Sequence, residues 1–181
     1  MYVIAGRLKS RKLYTHKSLR VVEARIKKVL HSLFKDEMHD ASVLDLFAGT
    51  GSLGIEALSW GAKKAVFVDI KKASVETIRK NLSSLGLLGS CEVYLKDAGL
   101  ACQNFFVQKR RFDFIFMDPP YYKGLLTKTL KTLGAYDIVE PSGFVVALGW
   151  RRESPQNKAF SCIFERLYGD RLVKIFTPFA R

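Results

Sequence analysis

Val43-Leu-Asp-Leu-Phe-Ala-Gly-Thr-Gly-Ser-Leu-Gly54 is the stretch that decides the fold. Its apolar run, 43–47, reads as a buried strand. Gly49, Gly51 and Gly54 follow in the spacing GxGxxG, ahead of a helix that carries Ile55 to Trp60 and stops at Gly61. Glycine in such a loop lets the backbone turn tightly and approach a ligand at the helix N-terminus. Downstream the pattern repeats, with a strand at 65–69 and a helical stripe of Val75, Ile78, Leu82 and Leu85 closed by Gly86. Further strands are expected at 91–95, 112–117 and 143–149, with helix-forming residues at 124–134. Two last strands, 160–167 and 172–177, flank Gly169-Asp170, a hairpin signal. Alternation of this kind predicts an α/β fold, a doubly wound and mostly parallel seven-stranded sheet of Rossmann-like type. The continuous apolar character of the runs suits strands buried on both faces. Upstream, 2–5 and 11–14 read as a β-hairpin around Gly6, and Leu19, Val22, Ile26, Val29, Leu30 and Leu33 recur at helical spacing.

The length of 181 residues suits a single domain, 1–181, in which residues 1–40 form a basic hairpin-helix extension. No apolar run is long enough to cross a bilayer and the N-terminus lacks a signal pattern, so a cytoplasmic protein is expected, with no membrane association. Cys91, Cys102 and Cys162 lack CxxC spacing and are expected to be buried in a reducing compartment. His16, His31 and His39 show no metal-ligand spacing, so no metal is expected. The net charge is +13, and residues 1–35 supply +9 of it, ten Lys and Arg against Glu23 alone. So lopsided a distribution points to a polyanion, and nucleic acid is preferred over a membrane surface because residues 17–35 carry mainly aliphatic side chains at core spacing. Arg7, Lys9, Arg11, Lys12, Arg20 and Arg25 are the candidate phosphate contacts.

GxGxxG alone admits a nicotinamide cofactor as well as S-adenosylmethionine, and Asp69 at the end of the second strand would bind the ribose of either. Asp45 separates them. A carboxylate aimed from the strand toward the ligand gains nothing beside a pyrophosphate, whereas S-adenosylmethionine presents an ammonium and a sulfonium. Asp97, after the third strand, is placed to accept from the adenine amine. Three aspartates ending successive strands lie on the edge where ligands of such sheets bind. Phe47, Ile70 and Ala98, beside these residues, are assigned to the same pocket with Gly49 and Gly51.

The fourth strand ends in Asp118-Pro119-Pro120-Tyr121. The prolines fix φ and hold their predecessors extended, so the turn is rigid and presents Asp118 and the Pro119 carbonyl as neighbouring acceptors. The exocyclic amine of a base is a poor nucleophile because its lone pair is delocalised into the ring. Accepting both N–H groups at fixed points favours a pyramidal nitrogen aimed at an electrophilic methyl. Tyr121 is expected to stack on a base drawn out of its surroundings. Asp118, Pro119, Pro120 and Tyr121 are therefore the catalytic candidates.

Asp45-x-Phe-Ala-Gly-x-Gly together with Asp118-Pro-Pro-Tyr resembles class I amino-methyltransferases. Ile4-Ala-Gly-Arg with Arg11-Lys-Leu, Arg20 and Arg25, Gly54-Ile-Glu-Ala-Leu-Ser59, Gly124-Leu-Leu126 and Tyr168-Gly-Asp170 narrow the resemblance to the RsmD-type 16S ribosomal RNA guanine-N2 methyltransferases of bacteria. The resemblance implies S-adenosylmethionine-dependent methylation of a guanine N2 in small-subunit ribosomal RNA, free or in an assembling subunit, by a monomer. Val21 and Val22 stand where that family usually has Pro-Thr, and Lys28 where it usually has Glu. A DNA adenine-N6 methyltransferase would use the same turn, and a non-catalytic RNA-binding assembly factor could share the scaffold. An NAD-dependent oxidoreductase is the more distant alternative. Lys109-Arg-Arg111 is read as a solvated loop, and Trp60 and Trp150 as packing residues.

Overall fold

The structure, a computed structural model, describes residues 1–15, 21–121 and 124–179. It comprises two compact units, Met1–Lys96 and Asp97–Arg181.

The first unit holds three parallel strands, β1 (Ser42–Asp45), β2 (Lys64–Asp69) and β3 (Cys91–Leu95), in the order β3-β2-β1. Asp45 lies opposite Phe67, and Asp69 opposite Leu95, so both aspartates close their strands at the carboxyl end. Helices α1 (Ala24–Phe34), α2 (Ser52–Trp60) and α3 (Lys72–Ser84) accompany them. Every residue of α2 is buried, which explains why its glycine and serine are tolerated: nothing on it has to face water. Gly54 is required there because a Cβ would lie 2.3 Å from Phe67 Cε1 on β2.

Two expectations change in this unit. Of the expected stripe Val22, Ile26 and Leu30 are buried, but Leu33 is 38% exposed, and Lys27 and Phe34 complete the inner face. Lys27 points inward to a buried carboxylate, a pairing that hydrophobic spacing does not reveal. At the N-terminus the two expected strands reduce to one bridge, Tyr2 with Lys12, supported by Val3 donating to the Arg11 carbonyl at 3.0 Å and Leu13 to that of Met1 at 2.9 Å. Leu19 lies outside the described residues.

The second unit contains α4 (Ala98–Val107), β4 (Phe112–Met117), α5 (Leu125–Ala135), β5 (Val139–Trp150), β6 (Phe160–Tyr168) and β7 (Arg171–Pro178). Its strands run in the order β4-β5-β7-β6, with β4 and β5 parallel and β7 antiparallel to both β5 and β6. Because β5 runs alongside β4, and β7 returns along β5, the end of β4, the end of β5 and the start of β7 share one edge. β5 begins at Val139, earlier than Pro141 suggests, and an irregularity in its pairing with β4 accommodates the proline. Gly143 is needed beside it, since a Cβ would lie 2.9 Å from the Asp113 carbonyl oxygen. Helix α4 leaves no periodic signal because its residues are apolar on the outside too, with Val107 74% exposed.

Among the described residues no helix is long and apolar enough to cross a membrane, and no three His, Cys, Asp or Glu side chains come together as metal ligands. Cys102 is buried and Cys91 half-buried, whereas Cys162 is exposed on β6, contrary to the expectation that all three lie inside. β6 is the outermost strand of its sheet and is exposed on both faces, Cys162 and its neighbour Ile163 alike.

Candidate active site

The glycine loop joins β1 to α2. Gly49 and Gly51 have φ of 55° and 78°, the left-handed region that side chains other than glycine adopt at a cost. The amides of its three glycines are engaged within the protein. Gly49 donates to Asp69 Oδ2 at 2.8 Å, Gly51 to the Ala48 carbonyl at 2.6 Å, and Gly54 to Asp45 Oδ2 at 3.2 Å. Asp69 also accepts from Lys71 N–H through Oδ1, at 2.9 Å. Asp45 is 1% exposed. A loop made to cradle a pyrophosphate offers its N–H groups to the ligand and keeps negative charge away. Here two carboxylates take two of those donors and leave negative charge beneath the loop. That donor set fits a cationic group such as a sulfonium or ammonium and is poorly suited to a dinucleotide.

Phe47 is half-buried beside this loop, and Ile70, 69% exposed, follows Asp69. Asp97 and Ala98 fall in the second unit. Asp97 caps α4, its Oδ1 accepting from Gly99 at 2.8 Å and Leu100 at 3.2 Å, and Ala98 is the buried first residue of the helix. The cap occupies part of the carboxylate that was expected to meet an adenine amine.

The N-terminal segment is fastened to the helices beside the loop. Glu56, fully buried on α2, accepts from Ile4 N–H at 2.8 Å and Ala5 N–H at 3.4 Å and pairs with Lys27 Nζ at 3.3 Å. Burial holds the Lys27 ammonium below its ordinary pKa, opposed by the charge of Glu56 and its hydrogen bond. Ser59 donates to the Ala5 carbonyl at 2.5 Å and accepts from Leu8 at 2.9 Å. Gly6, φ 77°, packs so closely that a Cβ would lie 2.0 Å from the Ser59 carbonyl oxygen. On this frame Arg7, Lys9, Arg11 and Lys12 are exposed, as is Arg25 on α1, while Arg20 lies outside the described residues. Lys27, counted in the basic run, is withdrawn from the surface.

In the second unit Asp118 follows β4. Arg171 Nη2 donates to Asp118 Oδ1 at 3.0 Å, and both side chains are 9% exposed. The guanidinium carbon also lies 5.1 Å from the centre of the Tyr121 ring, which in turn meets Trp150 at 5.4 Å. Topology explains the meeting: Arg171 opens β7 opposite Trp150, the last residue of β5, and so reaches the edge where β4 ends. The two-residue turn Gly169-Asp170 before it is tied to Arg151, whose N–H donates to the Asp170 carbonyl at 2.8 Å and whose guanidinium pairs with the carboxylate at 3.2 Å. Arg171 was not among the sequence candidates. An arginine at the start of a strand, 53 residues from its partner, is indistinguishable in sequence from a surface cation. Trp150, read as packing, supports the Tyr121 ring directly.

Lys109-Arg-Arg111 is more structured than a solvated loop. The Arg110 guanidinium carbon lies 5.0 Å from the centre of the Phe105 ring, and Arg111 pairs with Asp137.

The chain matches the family described as "Conserved hypothetical protein 95" over residues 1–177. It is 36% identical over 149 residues to YlbH of Bacillus subtilis strain 168, which carries an rRNA methyltransferase assignment, with 81% of each chain covered. It is 30% identical over 145 residues to the ribosomal RNA small subunit methyltransferase D of Haemophilus influenzae, covering 79% of this chain and 75% of that one. Among solved structures, the Escherichia coli protein yhhF, assigned as a methyltransferase, superposes with a TM-score of 0.86 at 27% identity, over 100% of this chain and 99% of that one. The likeness extends over the full chain and gives it the class I methyltransferase fold, the α/β class expected from the alternation of strands and helices.

Proposed function

The chain belongs to the RsmD-type family of ribosomal RNA methyltransferases, and from that membership we propose that it methylates the exocyclic N2 amine of a guanine in small-subunit ribosomal RNA, with S-adenosylmethionine as cofactor. The observation that carries the amine specificity is the rigid Asp118-Pro119-Pro120-Tyr121 turn with Asp118 held by Arg171 at 3.0 Å.

When bound, the cofactor supplies an electrophilic methyl on a sulfonium. Asp45, Phe47, Gly49, Gly51, Asp69 and Ile70 from the first unit, with Asp97 and Ala98, are the residues that would hold it. Asp45 contributes negative charge toward its cationic end and braces the loop through Gly54, while Asp69 braces it through Gly49 and accepts from the ribose hydroxyls. Asp118 and the Pro119 carbonyl accept the two N–H groups of the target amine and turn its lone pair outward. Arg171 donates to Oδ1 and so holds the orientation of the carboxylate, which serves as an acceptor for the amine. Asp118 takes the proton that the methylated nitrogen must shed. Tyr121, supported by Trp150 and Arg171, stacks on the extruded base.

Arg7, Lys9, Arg11, Lys12, Arg20 and Arg25 contact phosphates and position the RNA without reading its sequence. On this reading the protein acts in the cytoplasm as a monomer, on ribosomal RNA that is free or in an assembling small subunit. The test is nucleoside mass mapping of small-subunit RNA from cells with and without the gene. Loss of one N2-methylguanosine on deletion is expected, and an unchanged modification map would refute the proposal.

A further inference from the structure

Asn81 links two parts of the first unit that the sequence treats separately. It lies on α3, is completely buried, and makes three hydrogen bonds. Its Oδ1 accepts from Tyr14 N–H at 2.6 Å, and its Nδ2 donates to the Tyr14 carbonyl at 3.1 Å. It thereby satisfies both main-chain groups of one arm residue, as a neighbouring strand would. The same Nδ2 donates to the Thr50 carbonyl at 2.9 Å. Thr50 stands between Gly49 and Gly51, whose left-handed backbones no side chain stiffens, so this bond is what fixes the Thr50 carbonyl to α3.

The surrounding contacts follow the same line. Ile78, one turn earlier on α3, underlies the loop so closely that a Cβ on Gly51 would lie 3.2 Å from its Cγ1. On the arm side, Lys80 Nζ lies 3.9 Å from the centre of the Tyr14 ring, and Arg11 Nη2 donates to the Ser84 carbonyl at 3.5 Å. The arm residues proposed to meet phosphate, Arg11 and Lys12, therefore stand two to three positions from the backbone that Asn81 grips. A planar amide cannot follow a displaced Tyr14 without turning its Nδ2 away from Thr50.

We propose that Asn81 is a positioning residue that couples the arm to the glycine loop, so that RNA engaged on the arm tightens cofactor binding and bound cofactor tightens RNA binding. This rests on the functional reading above, in which the arm meets RNA and the loop meets the cofactor. Linkage requires the two effects to be equal. Nothing in the proposal asks Asn81 to touch either ligand.

The experiment measures S-adenosylhomocysteine affinity by equilibrium dialysis, with and without saturating unmethylated 16S ribosomal RNA, supplied free in one arm and in small subunits in another. In the unaltered protein the RNA should tighten binding about fivefold or more, the lower range of ordinary couplings. In Asn81→Ala and in Asn81→Asp, which keeps the acceptor for Tyr14 but loses both donors, each ligand should still bind and the factor should fall to about one. Hydrogen exchange on the unaltered protein gives a readout that no variant's folding can obscure: RNA added without cofactor should raise protection of the amides at residues 50–52. Affinity indifferent to RNA, coupling that survives in both variants, or unchanged protection at the loop would overturn the coupling while leaving the methyltransferase reading intact. If neither ligand binds the unaltered protein, the functional reading itself fails and takes the coupling with it.

Discussion

Asp118 and Arg171 form a buried ion pair in which each partner limits what the other can do. Removing the carboxylate should abolish turnover while leaving the glycine loop untouched. Asp118→Ala is expected to lower kcat by about a hundredfold or more, with S-adenosylhomocysteine affinity in calorimetry essentially unchanged. Arg171→Met should lower kcat by about tenfold without raising KM for the cofactor, because it frees the carboxylate to rotate but deletes no acceptor. Lysine at 171 should restore little, since a point charge cannot reproduce the guanidinium plane. Thiol chemistry offers a check on burial. Desolvation pushes Cys91 and Cys102 up to about 12, so both remain protonated and inert at pH 8, whereas exposed Cys162 should be the one of the three that reacts rapidly with a disulfide reagent. At this scale the sequence was informative where chemistry is local. Asp118 announces itself through the two prolines beside it, but Arg171 depends on a strand returning to the right edge.

The N-terminal segment is built less as a hairpin than as a strap over α2. One bridge replaces the expected ladder because Glu56 and Ser59 take the main-chain groups that a second strand would have paired. Gly6→Ala forces a Cβ against the Ser59 carbonyl at a left-handed φ, and should cost at least about 2 kcal/mol in denaturant unfolding. Breaking the Lys27–Glu56 pair from one side strands a buried charge. Glu56→Gln should therefore destabilise by about 3 kcal/mol, and adding Lys27→Met should recover part of that loss. The exposed cations of the strap carry the proposed RNA contacts. Replacing Lys9, Arg11 and Lys12 with alanine should weaken RNA binding and flatten the plot of log affinity against log salt by about two units, near 0.7 per phosphate contact on single strands. Strands were easier to locate than helices in this chain, since an apolar run such as Phe112–Met117 has fixed limits. Helix α4 leaves no signal because its outer face is apolar, and the inner face of α1 is legible at Ile26 and Leu30 but not at Lys27, whose buried partner hydrophobic spacing cannot show.

Across the whole molecule, the charge and the two motifs divide the labour that the family likeness implies. The basic run proved to be partly structural, with Lys27 inside and Arg7 donating to the Leu58 carbonyl at 3.3 Å, yet it still leaves four exposed cations on the strap. In the sequence Asp45 alone favours S-adenosylmethionine over a dinucleotide; it and Asp69 are legible as strand-ending carboxylates, although their grip on the loop amides is seen only in three dimensions. The most direct test of the account uses purified protein, methyl-tritiated S-adenosylmethionine and two acceptors, unmethylated small ribosomal subunits and duplex DNA, followed by digestion to nucleosides and chromatography. The predicted result is label eluting as N2-methylguanosine from the subunits alone, and absent with Asp118→Ala. Label in N6-methyladenine of the DNA, or undiminished transfer by the variant, would contradict it.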